Sequence, residues 1–216
     1  MAHVVCFTFN PFQENTYLVY DETKSCLIID PGCYEANEKT RLMQFIQQNR
    51  LTPVRLLNTH CHIDHVFGNA FVATTYSLGL EIHEGEEAVL NFVPQVAQLY
   101  GIPYLEPSPK PTHYLVPNTT IEFGNTELKI LFVPGHSPAS VAFYSAADQF
   151  VIAGDVLFKD SIGRTDLPGG NHQTLLDSIQ KELLSLDDDV LVYSGHGPKT
   201  SIGRERRNNP FLAHLV

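Results

Sequence analysis

The segment VRLLNTHCHIDH, residues 54–65, decides how this chain is read. It opens as an apolar strand and closes as a turn crowded with metal-ligand side chains: His60, His62, Asp64 and His65. Three later segments have the same form: LKILFVPGH runs to His136, FVIAGD to Asp155 and VLVYSGH to His196. Layered α/β proteins build sites outside the carboxyl ends of their strands, where loops converge while the strands hold the geometry. One such ending carries little weight. Four within 216 residues point to a shared site at a sheet edge.

The chemistry of these side chains points to metal. Imidazole suits zinc, iron and similar ions, and carboxylates supply charge. Gathering so many titratable groups without an ion would leave their desolvation uncompensated. In extended backbone, alternation places His60, His62 and Asp64 on one side, with a tight turn bringing in His65. Cys61 then points away and is not counted as a ligand. An exposed polar turn would explain THCHIDH alone, but not the four strand ends together. Seven donors are too many for one tetrahedral zinc and fit two ions that share a carboxylate. Asp155, a single carboxylate after a glycine, is the candidate bridge.

Outward from the motif, composition excludes several classes. With 43% apolar and 18% charged residues the chain is an ordinary globular protein. A net charge of -10 argues against a broad nucleic-acid footprint or an anionic-lipid surface. An anionic small molecule stays open, because a metal supplies local positive charge. No run approaches the roughly 18 apolar residues of a membrane helix, and the start MAHVVCFTF lacks a signal-peptide pattern. Cys6, Cys26, Cys33 and Cys61 lack CxxC spacing and read as free, mostly buried thiols. The expectation is a soluble cytoplasmic protein.

Short β-branched runs bounded by turn residues predict strands at 4–9, 16–20, 26–29, 54–58, 119–123, 127–133, 141–144, 149–152 and 190–193. Helical spacing predicts helices at 35–49, 66–77, 86–100 and 173–186, with the Pro-rich stretch 103–111 as an irregular connector. Strand runs on both sides of intervening helices imply an α/β layered fold. No linker divides the chain, so residues 1–216 read as a single domain.

The order HxHxDH, then a distant His, Asp and His, resembles the metallo-β-lactamase superfamily. Within it the chain is most similar to short bacterial glyoxalase II-like hydrolases. NPFQENTYLV, IDPG, PGHSP, GDVLF, IGRTDLPGG and SGHGP followed by NPFL carry that likeness. The resemblance implies an αββα sandwich of two similar halves. It implies that His60, His62 and His136 bind one metal, that Asp64, His65 and His196 bind the other, and that Asp155 bridges them. It implies a cofactor of two divalent ions, zinc first, with iron or manganese as alternatives. It also implies hydrolysis of a small thioester such as S-lactoylglutathione by a metal-bridged hydroxide, with Asp64 orienting that hydroxide. The helical C-terminal domain with which glyoxalase II binds glutathione has no counterpart in this sequence. The alternative is a mononuclear-iron glutathione persulfide dioxygenase, which shares THCHxDH and GRTD.

Further residues carry weaker expectations. Arg164 and Lys159 follow the Asp155 strand and could bind a substrate carboxylate, with an Arg164–Asp166 pair as the structural alternative. Asp30 could accept a histidine N–H, or simply start its Asp-Pro-Gly turn. Arg204, Arg206 and Arg207 read mainly as a solvated helix face, and His3, His83, His113, His172 and His214 as structural or exposed.

Overall fold

β-Branched runs and turn residues alternate along the whole chain, and the structure resolves them into two sheets. The computed structural model describes residues 1–213, so His214 lies outside the described residues. The chain divides into two compact units, one of residues 1–115 and 122–126, the other of residues 116–121 and 127 onward.

The first unit contains β1 (His3–Phe9), β2 (Glu14–Tyr20), β3 (Ser25–Ile29), α1 (Ala36–Gln48), β4 (Thr52–Leu57), α2 (Ile63–Val66), α3 (Asn69–Tyr76), β5 (Leu80–Ile82), α4 (Glu87–Leu99) and β6 (Pro111–Tyr114). Its sheet runs in the order β1-β2-β3-β4-β5-β6. β1 to β3 pair antiparallel, and β3 to β6 pair parallel. Ile29 lies beside Leu57 in the parallel β3–β4 pair, so Asp30 and Asn58 leave the sheet side by side. Leu18, Ile28, Leu56 and Leu80 form one core with Leu42 and Ile46 of α1, Val72 of α3, and Leu90 and Val93 of α4. Leu42 and Ile46 are four residues apart, which puts both on the helix face turned to the sheet. Glu35 and Glu38 close a capping box at the start of α1.

The second sheet has the order β14-β13-β10-β9-β8-β7. Its strands are β7 (Thr120–Phe123), β8 (Thr126–Phe132), β9 (Val141–Ser145), β10 (Phe150–Gly154), β13 (Leu191–Ser194) and β14 (Thr200–Ser201); β11 (Leu157–Phe158) and β12 (Ser161–Ile162) form a separate small hairpin. α5 (His172–Ser178) and α6 (Ile202–Asn208) contribute Leu175, Leu176 and Ile202 to a core with Val133, Ala142, Val151 and Val192. The mixed α/β class expected from the sequence is the one observed, with a helix-covered sheet in each unit.

Three local expectations need correction. The helix expected over 66–77 is two pieces. Gly68 interrupts it because its N–H donates to the Pro31 carbonyl at 2.6 Å, and a Cβ there would come within 2.5 Å of Cys33 Sγ. The helix expected over 173–186 is α5 continued by a π-helical turn, Ile179–Leu183, in which the Leu184 N–H reaches back to Ile179 O. β5, β6, β11, β12 and β14, of two to four residues, were not read from the sequence, since so short a strand carries little period of its own.

Leu42 is fully buried under the parallel strands. Leu42→Ala is expected to destabilise the protein by about 3 kcal/mol, the usual cost of a buried leucine cavity, as measured by equilibrium denaturation.

Candidate metal centre

In the first unit the motif leaves β4 as extended chain only as far as His62, which is the N-cap of α2. Asp64 therefore sits with His65 on a short helical turn, not on the alternating extended chain that the sequence suggested for Asp64; the turn expected to bring in His65 is this helix. Ile63 and Val66 belong to the apolar core, which sets the rotation of that helix and leaves Asp64 and His65 on its other arc. The rings of His60 and His62 lie 4.8 Å apart, and those of His60 and His65 4.1 Å apart. His65 Nε2 lies 3.7 Å from Asp64 Oδ2. His60 and His65 are almost wholly buried.

Asp30 holds this arrangement. Its backbone is left-handed, with φ 49°. Its Oδ1 accepts the Thr59 N–H at 2.7 Å and Asn58 Nδ2 at 3.3 Å. Its Oδ2 accepts the Thr59 hydroxyl at 2.5 Å and lies 3.1 Å from His65 Nδ1. These bonds assign tautomers. A carboxylate only accepts, so His65 carries its proton on Nδ1 and keeps the Nε2 lone pair. The Thr59 hydroxyl gives its hydrogen to Asp30, so at 3.1 Å from His60 Nδ1 its oxygen acts as acceptor, and His60 too keeps its lone pair on Nε2. Asp30 groups with His60 and His65 as a potential donor set, yet both its oxygens are already engaged. It faces the His65 Nδ1–H, as the sequence reading allowed.

Other buried residues here were missed by sequence reasoning. Glu86 is fully buried, and its Oε2 accepts the Cys61 N–H at 2.9 Å, fixing the peptide between His60 and His62. Asn58 donates from Nδ2 to His65 O at 2.9 Å and accepts from Asn69 Nδ2 at 2.8 Å. Burial, with Glu86 nearby, pushes the Cys61 thiol well above its ordinary value. Among the described residues all four cysteines are free; Cys6 is exposed and the other three are buried.

In the second unit, β10 and β13 are adjacent and parallel, and the Gly195 N–H donates to Gly154 O at 2.8 Å. Asp155 and His196, one residue beyond each of these glycines, are thereby brought together, with His196 Nδ1 3.0 Å from Asp155 Oδ1. His136 follows β8 through Pro134 and Gly135. Gly135 has φ 131°, and a Cβ on it would come within 2.3 Å of the Leu175 nitrogen, so glycine is required there. His136 Nδ1 donates to the Arg164 carbonyl at 2.7 Å, which leaves its lone pair on Nε2, 3.6 Å from Asp155 Oδ2. Three sequence-predicted ligands thus converge in this unit as four do in the first.

The expected substrate-binding residues stand at the surface. Arg164 makes a bidentate pair with Asp166, 2.7 Å on each arm, which lowers the Asp166 carboxyl to about 2. Lys159 is at the exposed tip of the β11–β12 hairpin. Arg204 pairs with Asp160 and Glu205, Arg207 with Asp188, and Arg206 with Asp188 and the carbonyls of Leu184 and Leu186, so this cluster ties α6 down. His3 stacks on Tyr20, and His83 accepts the Gly85 N–H at a helix start.

The donor chemistry fits metal ions. Imidazoles that carry a lone pair on Nε2 and a fixed Nδ1–H are the form in which histidine binds metal, and neighbouring carboxylates add charge. Asp30→Asn replaces an acceptor by an amide facing the Nδ1–H of His65. It is expected to weaken metal binding about 10–100-fold, as lost orienting partners do, in a chelator competition.

The model of the metallo-β-lactamase superfamily matches residues 9–196, a span that includes all seven predicted ligands. The chain is 37% identical over 204 residues to hydroxyacylglutathione hydrolase GloC of Haemophilus influenzae, covering 93% of each. It is similar to the crystal structure of BLEG-1, a B3 metallo-β-lactamase, with TM-score 0.88 and 35% identity over 99% of this chain and 100% of that one. It is also similar to TTHA1623 in a di-iron-bound form, with TM-score 0.86 and 37% identity over 97% of this chain and 100% of that one. The chain therefore belongs to the metallo-β-lactamase superfamily.

Proposed function

We propose that the chain is a two-metal hydrolase that cleaves a small thioester, of which a hydroxyacyl-glutathione is the reference substrate. One observation carries the metal part of this reading: in both units, buried imidazoles are held by hydrogen bonds at Nδ1 in the metal-binding tautomer. His60, His62 and His136 would hold one ion, Asp64, His65 and His196 the other, and Asp155 would be shared between them. The likeness to TTHA1623 in its di-iron form supports two ions, and the likeness to GloC supports the substrate class. Zinc is the first choice of metal, with iron or manganese as alternatives.

When bound, two such ions supply Lewis acidity, which makes water nucleophilic at neutral pH and polarises an acyl oxygen. The residues of the chain do the rest. Asp64, on a helix clamped by the apolar core, would orient the attacking water. Thr59 and Asp30 keep the His60 and His65 rings from turning. Arg164 and Lys159 meet the carboxylates of an anionic thiol carrier, Arg164 by exchanging Asp166 for substrate. That exchange is easy, because the present pair is exposed and such pairs contribute little to stability.

His136→Ala is expected to remove at least one ion per chain in metal analysis and to lower turnover at least 100-fold, on the order of other losses of a key electrostatic group. Unchanged metal content and turnover would sink the assignment. The purified protein should hydrolyse S-lactoylglutathione, followed by thiol release. Oxygen uptake with glutathione persulfide and one iron per chain would instead identify the dioxygenase, and turnover confined to a β-lactam would identify a lactamase. Arg164→Ala should raise KM for the glutathione thioester several-fold with kcat nearly unchanged, the pattern of lost uniform binding. A change in thermal stability alone would make the Arg164–Asp166 pair structural.

A further inference from the structure

The turn between β1 and β2, NPFQ at residues 10–13, has no part in the ligand set, yet its first side chain reaches into the motif. Asn10 is 9% exposed. Its Nδ2 donates to the main-chain carbonyl of Asp64 at 3.0 Å and to that of Gly32 at 2.9 Å. Its Oδ1 accepts the Phe12 N–H at 3.0 Å, and its own N–H donates to Glu38 Oε1 at 2.6 Å. The other oxygen of Glu38 accepts the N–H groups of Tyr34 and Glu35 at the start of α1. One asparagine therefore ties three things together: the Asp30–Gly32 turn that orients His65, the helix that carries Asp64, and the anchored end of α1.

The backbone supports this role. Asn10 has φ 52°, a left-handed conformation that asparagine and glycine tolerate best. Only asparagine of that pair also supplies a side-chain amide with two donors. α2 is a single turn of four residues, Ile63–Val66, with no side-chain cap. An isolated helix of that length does not hold itself, so bonds from outside set its position. Behind it the fully buried Glu14 carboxyl accepts the Thr16 hydroxyl at 3.0 Å, while the Thr16 oxygen accepts the Gly32 N–H at 2.8 Å. Both face the same Gly32 turn.

We infer that Asn10 is a positioning residue for the metal held by Asp64 and His65: its two amide bonds hold the α2 turn against the Asp30–Gly32 turn and so set the affinity of that ion selectively. The inference rests on the two-metal reading given above. It assigns a role to the NPFQEN segment, which the ligand set leaves unused. Asn10 touches neither substrate nor metal, and it acts through the backbone of Asp64.

The test compares wild type with Asn10→Gly and Asn10→Asp, titrating each metal-free protein with Zn²⁺ against a chromogenic chelator and recording its metal-free melting temperature. Asn10→Gly keeps the left-handed turn and loses both bonds. Asn10→Asp keeps the shape and the Phe12 acceptor but turns an oxygen toward two carbonyls. In both, affinity for one of the two ions is expected to fall about 10–100-fold, the range for lost orienting partners, with the other ion bound as in wild type. Equal losses at both ions, or a lower melting temperature with both affinities unchanged, would make Asn10 merely structural and overturn the inference. Wild-type protein that takes up only one ion would overturn the two-metal reading itself. Wild type with two ions and unchanged affinities in both variants would overturn this inference alone.

Discussion

A histidine that binds a metal through Nε2 almost always donates its Nδ1 proton to an acceptor, and for a buried ring that acceptor is supplied by the fold. Asp30 is that acceptor in the first unit. It takes the His65 proton directly, and by taking the Thr59 hydroxyl hydrogen it makes that oxygen an acceptor for His60. One buried carboxylate thus sets the tautomers of two rings. A carboxylate at this depth is itself costly to desolvate, and the Thr59 N–H and Asn58 amide offset that cost. The left-handed backbone at Asp30 arises from the same need, since the chain must turn sharply for the carboxylate to face the end of β4.

Strand pairing explains why these groups can meet at all. β3 and β4 are parallel neighbours, and so are β10 and β13. Parallel neighbours end at the same side of a sheet, so the turn leaving one strand emerges next to the turn leaving the other. Asp30 meets Thr59 in this way, and Asp155 meets His196. The second unit uses a main-chain acceptor where the first uses a carboxylate: the Arg164 carbonyl holds the His136 ring. The Arg164 side chain stays outside, paired with Asp166. One residue thus acts through its backbone on the His136 ring and through its side chain at the surface.

The candidate donor side chains and their order were readable from the sequence, because HxHxDH and the three later strand ends place chemistry at fixed intervals along the chain. The long strands and α1 were readable too, since burial on one face imposes a period that a linear pattern records; Leu42 and Ile46 are the example. The break at Gly68 was not readable. It depends on Pro31, far earlier in the chain, coming close enough to accept a hydrogen bond.

What the sequence determined by itself was the chemical inventory: seven donors, their order, and the strands that end in them. Tertiary structure alone decided how those donors are held. Asp64 and His65 lie on a helical turn because Ile63 and Val66 are drawn into the core. The partners that orient and brace them come from far away in the chain: Asp30 for His65, Glu86 for the Cys61 peptide, Asn10 for the Asp64 carbonyl. The reason is physical. Periodicity and spacing record which face of a local element is buried, whereas a hydrogen bond between distant segments leaves no local pattern and exists only once the chain has closed.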